Sequence, residues 1–285
     1  MQAARLARAL RLASPATCRR AVWERPFRFA GGFRQYALAT EARPEGAPAT
    51  DTNRAEATLK RFWKTVSVEP RNDGTQLAIT LDGRPLKTPS GNQLLLPNRK
   101  VLAATLIAKE WEDQQVVLKA HALPMTSIAS RAIDATGDEP MRSEIRRDLL
   151  KYLDTDTVCF YADPEDPPPL IRLQGEHWDP LLGWVRETFD VEIQTSDSVL
   201  FCRQPEETKR KLEEVLKGFD RWQLAAMERA TYTTKSFLIA LALVRRQLTA
   251  EQAALVAQVE VMSQIERWGE VEDSQCRLLI ILLLF

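Results

Sequence analysis

Few residues in this chain could carry covalent chemistry. Its 285 residues include two histidines, His121 and His177, and four cysteines, at positions 18, 159, 202 and 276. Each histidine sits beside bulky or helical sequence, no GxSxG occurs, and no nucleophilic relay suggests itself. Both histidines therefore read as structural or surface residues. The cysteines are widely spaced and lack a CxxC, which argues against a zinc site or a disulfide framework and for buried free thiols. No Walker loop is present, and no GxGxxG follows a strand; Gly83 and Gly91 read as turn glycines.

Carboxylates remain. Asp154 and Asp156 lie in Tyr152-Leu153-Asp154-Thr155-Asp156-Thr157, just after a helix end. They could bind a hard cation or act as acid and base; equally, Asp and Thr there cap and turn the chain. Glu260, Glu266, Glu270, Glu272 and Asp273 make the last helix and its exit acidic. Glu260 shares a four-residue stripe with Val256 and Gln264, so it belongs either to a solvated face or to a partner surface. A carboxylate enzyme would need Asp154, Asp156 and Glu260 to converge in one pocket.

The elements that would position these residues fall into two groups, an α+β arrangement. A small antiparallel β-rich N-terminal domain is expected over residues 58–123, and a larger all-helical C-terminal domain over residues 124–273. In the first, Leu77, Ile79 and Leu81 alternate with Gln76, Ala78 and Thr80, the period of a half-buried strand. Asn72-Asp73-Gly74 and Asp82-Gly83 are turns on either side of it. Residues 86–88 and 93–96 suggest another hairpin. Val101, Thr105, Ala108 and Trp111 form a helical stripe that Leu102 and Leu106 widen, which puts Trp111 in the core. In the second group, Pro140 opens a helix with Ile145, Leu149 and Leu153 inward. Asp163 to Pro169 read as a surface connection outside any helix. Asp179-Pro180 reads as an N-cap and N1 proline. Leu212, Val215, Leu216 and Phe219 mark a further helix. Residues 237–244 are apolar on nearly every side and read as a central, buried helix. Thr249 and Gln252 fit a capping box, and the helix they open is expected to run to Trp268, where Gly269 stops it.

Composition limits the function classes. The 39 bases equal the 39 acids, unlike the basic balance of a nucleic-acid binder. The charge is unevenly spread: residues 1–36 hold eight arginines and one acid, leaving 31 bases against 38 acids, a net of −7, in the remainder. An Arg-rich, acid-poor start without an apolar h-region reads as a mitochondrial transit peptide over residues 1–36. Residues 37–57 read as a disordered linker. The apolar run at residues 278–285 is too short to span a bilayer; no stable membrane insertion is expected.

Six strings carry a resemblance: LDGRPLKTP (81–89), KEWEDQ (109–114), LPMT (123–126), KYLDTDTVCFY (151–161), HWDPLLGW (177–184) and ERWGEVED (266–273). In order and spacing they resemble the mitochondrial ATP synthase assembly chaperones that bind the free alpha subunit of the catalytic sector. The resemblance implies a matrix protein without enzymatic activity or cofactor, expected to be monomeric. Such a protein would keep alpha from aggregating until the beta subunit joins. It makes Glu260, Gln264, Trp268, Gly269 and Glu270 the partner-binding candidates, and Trp111, Asp154 and Trp178 motif residues that matter for folding. No metal site is implied. A carboxylate enzyme and a general respiratory-complex scaffold are the alternatives. The match stops after Asp273, where the family continues with an acidic His/Asp stretch and a further helix. Residues 274–285 are instead SQCRLLIILLLF, so a shifted frame or exon boundary is expected there, testable by transcript sequencing.

Overall fold

The sheet is built around one strand. In the computed structural model, which describes residues 60–135, 137–163, 165, 167–197 and 202–270, β1 (Val66–Arg71) and β2 (Gln76–Leu81) pair antiparallel with Val66 opposite Leu81. The other edge of β2 is shared by β3 (Arg84–Pro85) and β4 (Leu95–Pro97). Asp82 and Gly83 both take positive φ, 49° and 76°, and close the two-residue turn that matches strand twist. The transit-peptide, linker and tail expectations, on residues 1–36, 37–57 and 274–285, lie outside the described residues.

The half-buried strand expected at β2 is instead buried on both faces from Leu77 onward. Ala78 and Thr80, read as the open face, are small enough to be covered, and the Thr80 hydroxyl donates to Glu69 of β1 at 2.9 Å. Helix α1 (Val101–Glu112) packs across the sheet, but not by the expected stripe. Ala104 and Ile107 are its buried residues, whereas Leu102 is 73% exposed and Leu106 and Val101 are also open. Small Ala104 admits the sheet closely, and that turns the flanking leucines outward. Trp111 is half-buried: its ring lies 5.0 Å from that of Trp63, and its indole N–H donates to Thr126 at 3.0 Å.

Helices α2 (Pro124–Asp134), α3 (Glu139–Lys151), α4 (Pro168–Phe189), α5 (Glu206–Lys217), α6 (Arg221–Thr234), α7 (Phe237–Val244), α8 (Ala250–Ala257) and α9 (Val259–Trp268) follow. The architecture is thus a small antiparallel sheet region followed by helices. The core beneath the sheet also takes in Ala129 and Ala132 of α2 and Trp222 and Ala225 of α6. Arg131 of α2 holds the buried Glu228 of α6 through two 2.8 Å hydrogen bonds.

Three local readings need correction. Asp179-Pro180 is not a helix start, because α4 begins at Pro168 and Pro180 lies inside it. Pro168 and Pro169 have the φ that a first turn needs and leave no helical N–H to satisfy; for the same reason the surface connection ends before Pro168. Asp179 instead accepts from the Tyr161 hydroxyl at 2.6 Å. Third, the helix opened by the Thr249 capping box does not reach Trp268 unbroken. It ends at Ala257, and Gln258, with φ −113° and ψ 15°, separates it from α9. Helix α6 has no counterpart in the reading above, although Asp220 and Gln223 form a full capping box at its start.

Candidate functional site

Helix α9 carries the acidic stripe, and its surroundings explain why that stripe faces out. The buried end is Val259. At successive four-residue steps Glu260, Gln264 and Trp268 are all exposed, Trp268 by 68%. Arg267 lies over the Trp268 ring, 4.9 Å from its centroid, in cation–π distance. Gly269, at φ 83°, ends the helix and returns its N–H to the Ile265 carbonyl at 2.9 Å. Glu270 follows on the surface. The structure thus places all five partner-binding candidates on one exposed helix and its exit.

Two attachments hold the α8–α9 segment from behind. Arg172 of α4 donates to both carboxylate oxygens of Glu266, at 2.7 and 2.8 Å, and to Glu176 at 2.9 Å. The two acids raise the Arg172 pKa, the hydrogen bond it donates to Glu266 most. Deeper in, the Trp178 indole N–H donates to the Val256 carbonyl at 3.0 Å with Trp178 only 1% exposed. Val256 lies in the last turn of α8, where carbonyls lack intrahelical donors. Trp178 therefore supports α8 at the place where the chain breaks into α9. The sequence held no signal for the Arg172–Glu266 clamp, whose residues stand 94 apart.

The other carboxylates are engaged elsewhere. Asp154 accepts the Gln204 backbone N–H at 2.9 Å and pairs with Lys209 at 2.8 Å. Asp156 is fully buried and accepts backbone N–H groups of Val158, at 3.1 Å, and Leu238, at 2.9 Å, the latter at the start of α7. Burial pushes its carboxyl up to about 6 despite those donors. Asp156 is fully buried whereas Glu260 is exposed on α9, so these two do not meet in one open site. No group of three His, Cys, Asp or Glu able to hold a metal occurs among the described residues. His177 is half-buried, which lowers its pKa.

A groove of about 490 Å³ lies where the end of α4 meets α5, lined by Arg186, Asp190, Glu192, Glu207, Thr208 and Lys211. Its cations are engaged: Lys211 with Asp190 and Glu207, Arg186 with the Ile193 carbonyl. No helix among the described residues is long and apolar enough to cross a membrane.

The described residues thus form a sheet region feeding helices, with a supported but exposed last helix. Comparison with known proteins gives the family. A family model described as ATP12 chaperone protein matches residues 60–186. The chain is 33% identical over 225 residues to mitochondrial protein atp12 of Schizosaccharomyces pombe, covering 77% of each chain. It is 29% identical over 274 residues to mitochondrial protein ATP12 of Saccharomyces cerevisiae, covering 83% of this chain and 84% of that one. Among solved structures, Atp12 from Paracoccus denitrificans is similar with a TM-score of 0.66 at 29% identity, over 80% of this chain and 95% of the other. The chain belongs to the ATP12 chaperone family, and with it to the ATP synthase assembly chaperones that its sequence strings resemble.

Proposed function

We propose that this protein acts in the mitochondrial matrix, where it holds the unassembled alpha subunit of the ATP synthase catalytic sector and prevents its aggregation until the beta subunit joins. An orphan subunit exposes interface surface that would otherwise self-associate. A protein that covers it reversibly shifts the equilibrium away from aggregation by mass action. The observation that supports this reading is the exposed stripe of Glu260, Gln264 and Trp268 on a helix fixed from behind. An exposed tryptophan is a typical interface anchor, and acids beside it steer an arginine-bearing partner. Asp154 and the half-buried Trp111 support the fold, and the protein needs no cofactor for this role.

The test is a pull-down of separately produced alpha and beta subunits on the full chain, with Glu260→Lys alongside. Retention of alpha but not beta, weakened at least tenfold by the substitution, is the expected result. Alpha retention that ignores both Glu260→Lys and Trp268→Ala would move the site off α9. A folded chain that retains neither subunit would overturn the function.

A further inference from the structure

The two described cysteines are neighbours. Cys159 closes the short turn Thr157–Cys159, and Cys202 lies on the approach to α5. Both are free and buried, and burial raises both thiols. The Gln204 side-chain amide reaches both sulfurs, at 3.6 Å from Cys159 and 3.4 Å from Cys202, and also the Gln194 carbonyl at 2.8 Å. The Cys202 thiol lies 3.4 Å from that same carbonyl. The backbone of Cys159 is held in place by the Ser196 N–H at 2.8 Å.

We propose that Cys159 and Cys202 form an oxidative modification site that a small peroxide converts to a disulfide. This inference is independent of the chaperone reading. The accessibility of the thiols sets the order. Cys202 is 7% exposed and Cys159 not at all, so an oxidant no larger than hydrogen peroxide meets Cys202 first. The Cys202 sulfur, deprotonated as it reacts, attacks one peroxide oxygen; the O–O bond breaks, and the departing hydroxide takes up a proton to become water. The resulting sulfenic acid stands beside the Cys159 thiol. The Cys159 sulfur attacks the Cys202 sulfur, the S–O bond breaks, and the departing hydroxide leaves with the thiol proton as a second water. Two thiols lose two electrons and two protons, and one peroxide becomes two waters. The two sulfurs share the Gln204 amide, and a shift of the short turn or of the approach to α5 would bring them to the S–S length of roughly 2.05 Å. Burial pushes both thiols up, so the native pair reacts slowly and is stable as dithiol under reducing conditions. The bond would tie the Thr157–Cys159 turn to the entry of α5.

The experiment treats the native full chain with hydrogen peroxide, alkylates the remaining thiols, digests without reductant and maps the peptides by mass. The expected product is one linked pair, residues 152–172 with residues 187–203, two hydrogens lighter than the separate peptides and released by dithiothreitol. The same treatment in urea should scramble pairing among all four cysteines, because only the folded chain selects the pair. Preferential linkage of Cys159 or Cys202 to Cys18 or Cys276 in the native chain would overturn the proposal. So would Cys202 advancing to sulfinic acid while Cys159 stays free, or both thiols surviving oxidation that consumes the other two.

Discussion

Trp178→Phe separates the deep support of α9 from its surface chemistry. The substitution keeps an aromatic ring in a site that is 1% exposed but removes the donor that meets the Val256 carbonyl at 3.0 Å. Leaving a buried acceptor unsatisfied costs about 1–3 kcal/mol. The smaller ring also leaves about 40 Å³ empty, which at roughly 24 cal/mol per Å³ adds ~1 kcal/mol. The sum is about 2–4 kcal/mol, a substantial part of the roughly 5–15 kcal/mol that holds a typical domain together. Urea unfolding followed by far-ultraviolet circular dichroism measures it without interference from the other tryptophans. With a slope of about 2–3 kcal/mol per molar, the midpoint should fall by roughly 1 M at unchanged slope. A fall below about 0.3 M would refute the argument that this indole N–H supports the end of α8.

Leu102→Glu on α1 should change stability by less than about 0.5 kcal/mol, because the side chain is 73% exposed; a loss of several kcal/mol in the same urea assay would restore the leucine to the inward stripe that its spacing suggests. Asp156 should give the chain an acid-side stability gain. Burial raises its carboxyl from 3.8 to about 6, so the folded chain binds that proton more tightly than the unfolded chain does. Stability therefore rises as pH falls from about 6 to about 4, by up to ~3 kcal/mol for two pKa units. Asp82, Asp134, Glu139, Asp148 and Asp190 are all held low, so their contributions are lost only on further acidification. The thermal midpoint of wild type relative to Asp156→Asn, measured across that window, should show the slope; a flat difference would sink it.

Where the information was local, the sequence was readable. Asp82-Gly83 specifies its turn by needing two positive φ angles, and the Phe237–Val244 helix announces its burial by having no polar face. Thr249 and Gln252 make the capping box their spacing suggests. The errors occur where tertiary contacts decide. Leu102 and Leu106 have the right period for a core stripe, but only the position of the sheet against Ala104 shows which side of α1 is inside. Asp179-Pro180 matches a helix start, yet an earlier proline pair takes that role, and the interior proline is tolerated. The break at Gln258 is invisible in the sequence because its support, Trp178, lies 78 residues from Val256. On α9, periodicity alone could not decide between a solvated face and a partner surface. The motif resemblance singled out Glu260, Gln264 and Trp268, and the fold then placed them on open surface.

The break between α8 and α9 also bears on the proposed binding role of α9. A single helix continued from Ala250 would keep the direction set by its buried residues Ala253, Ala254 and Val256. Interrupting it at Gln258 frees the last ten residues to take a second direction, against α4. The two attachments then act differently. The Trp178 hydrogen bond is buried and shielded from salt, and it fixes where α9 begins. The Arg172–Glu266 pair is exposed on both sides, so it contributes only about 0–1 kcal/mol and weakens with ionic strength. The polar attachment at the base of α9 is therefore the more durable of the two, and the one nearer Trp268 the more salt-sensitive. Under the proposed function, a client held on α9 would be released the more easily for that gradient, since Trp268 could adjust while the helix keeps its place on the fold.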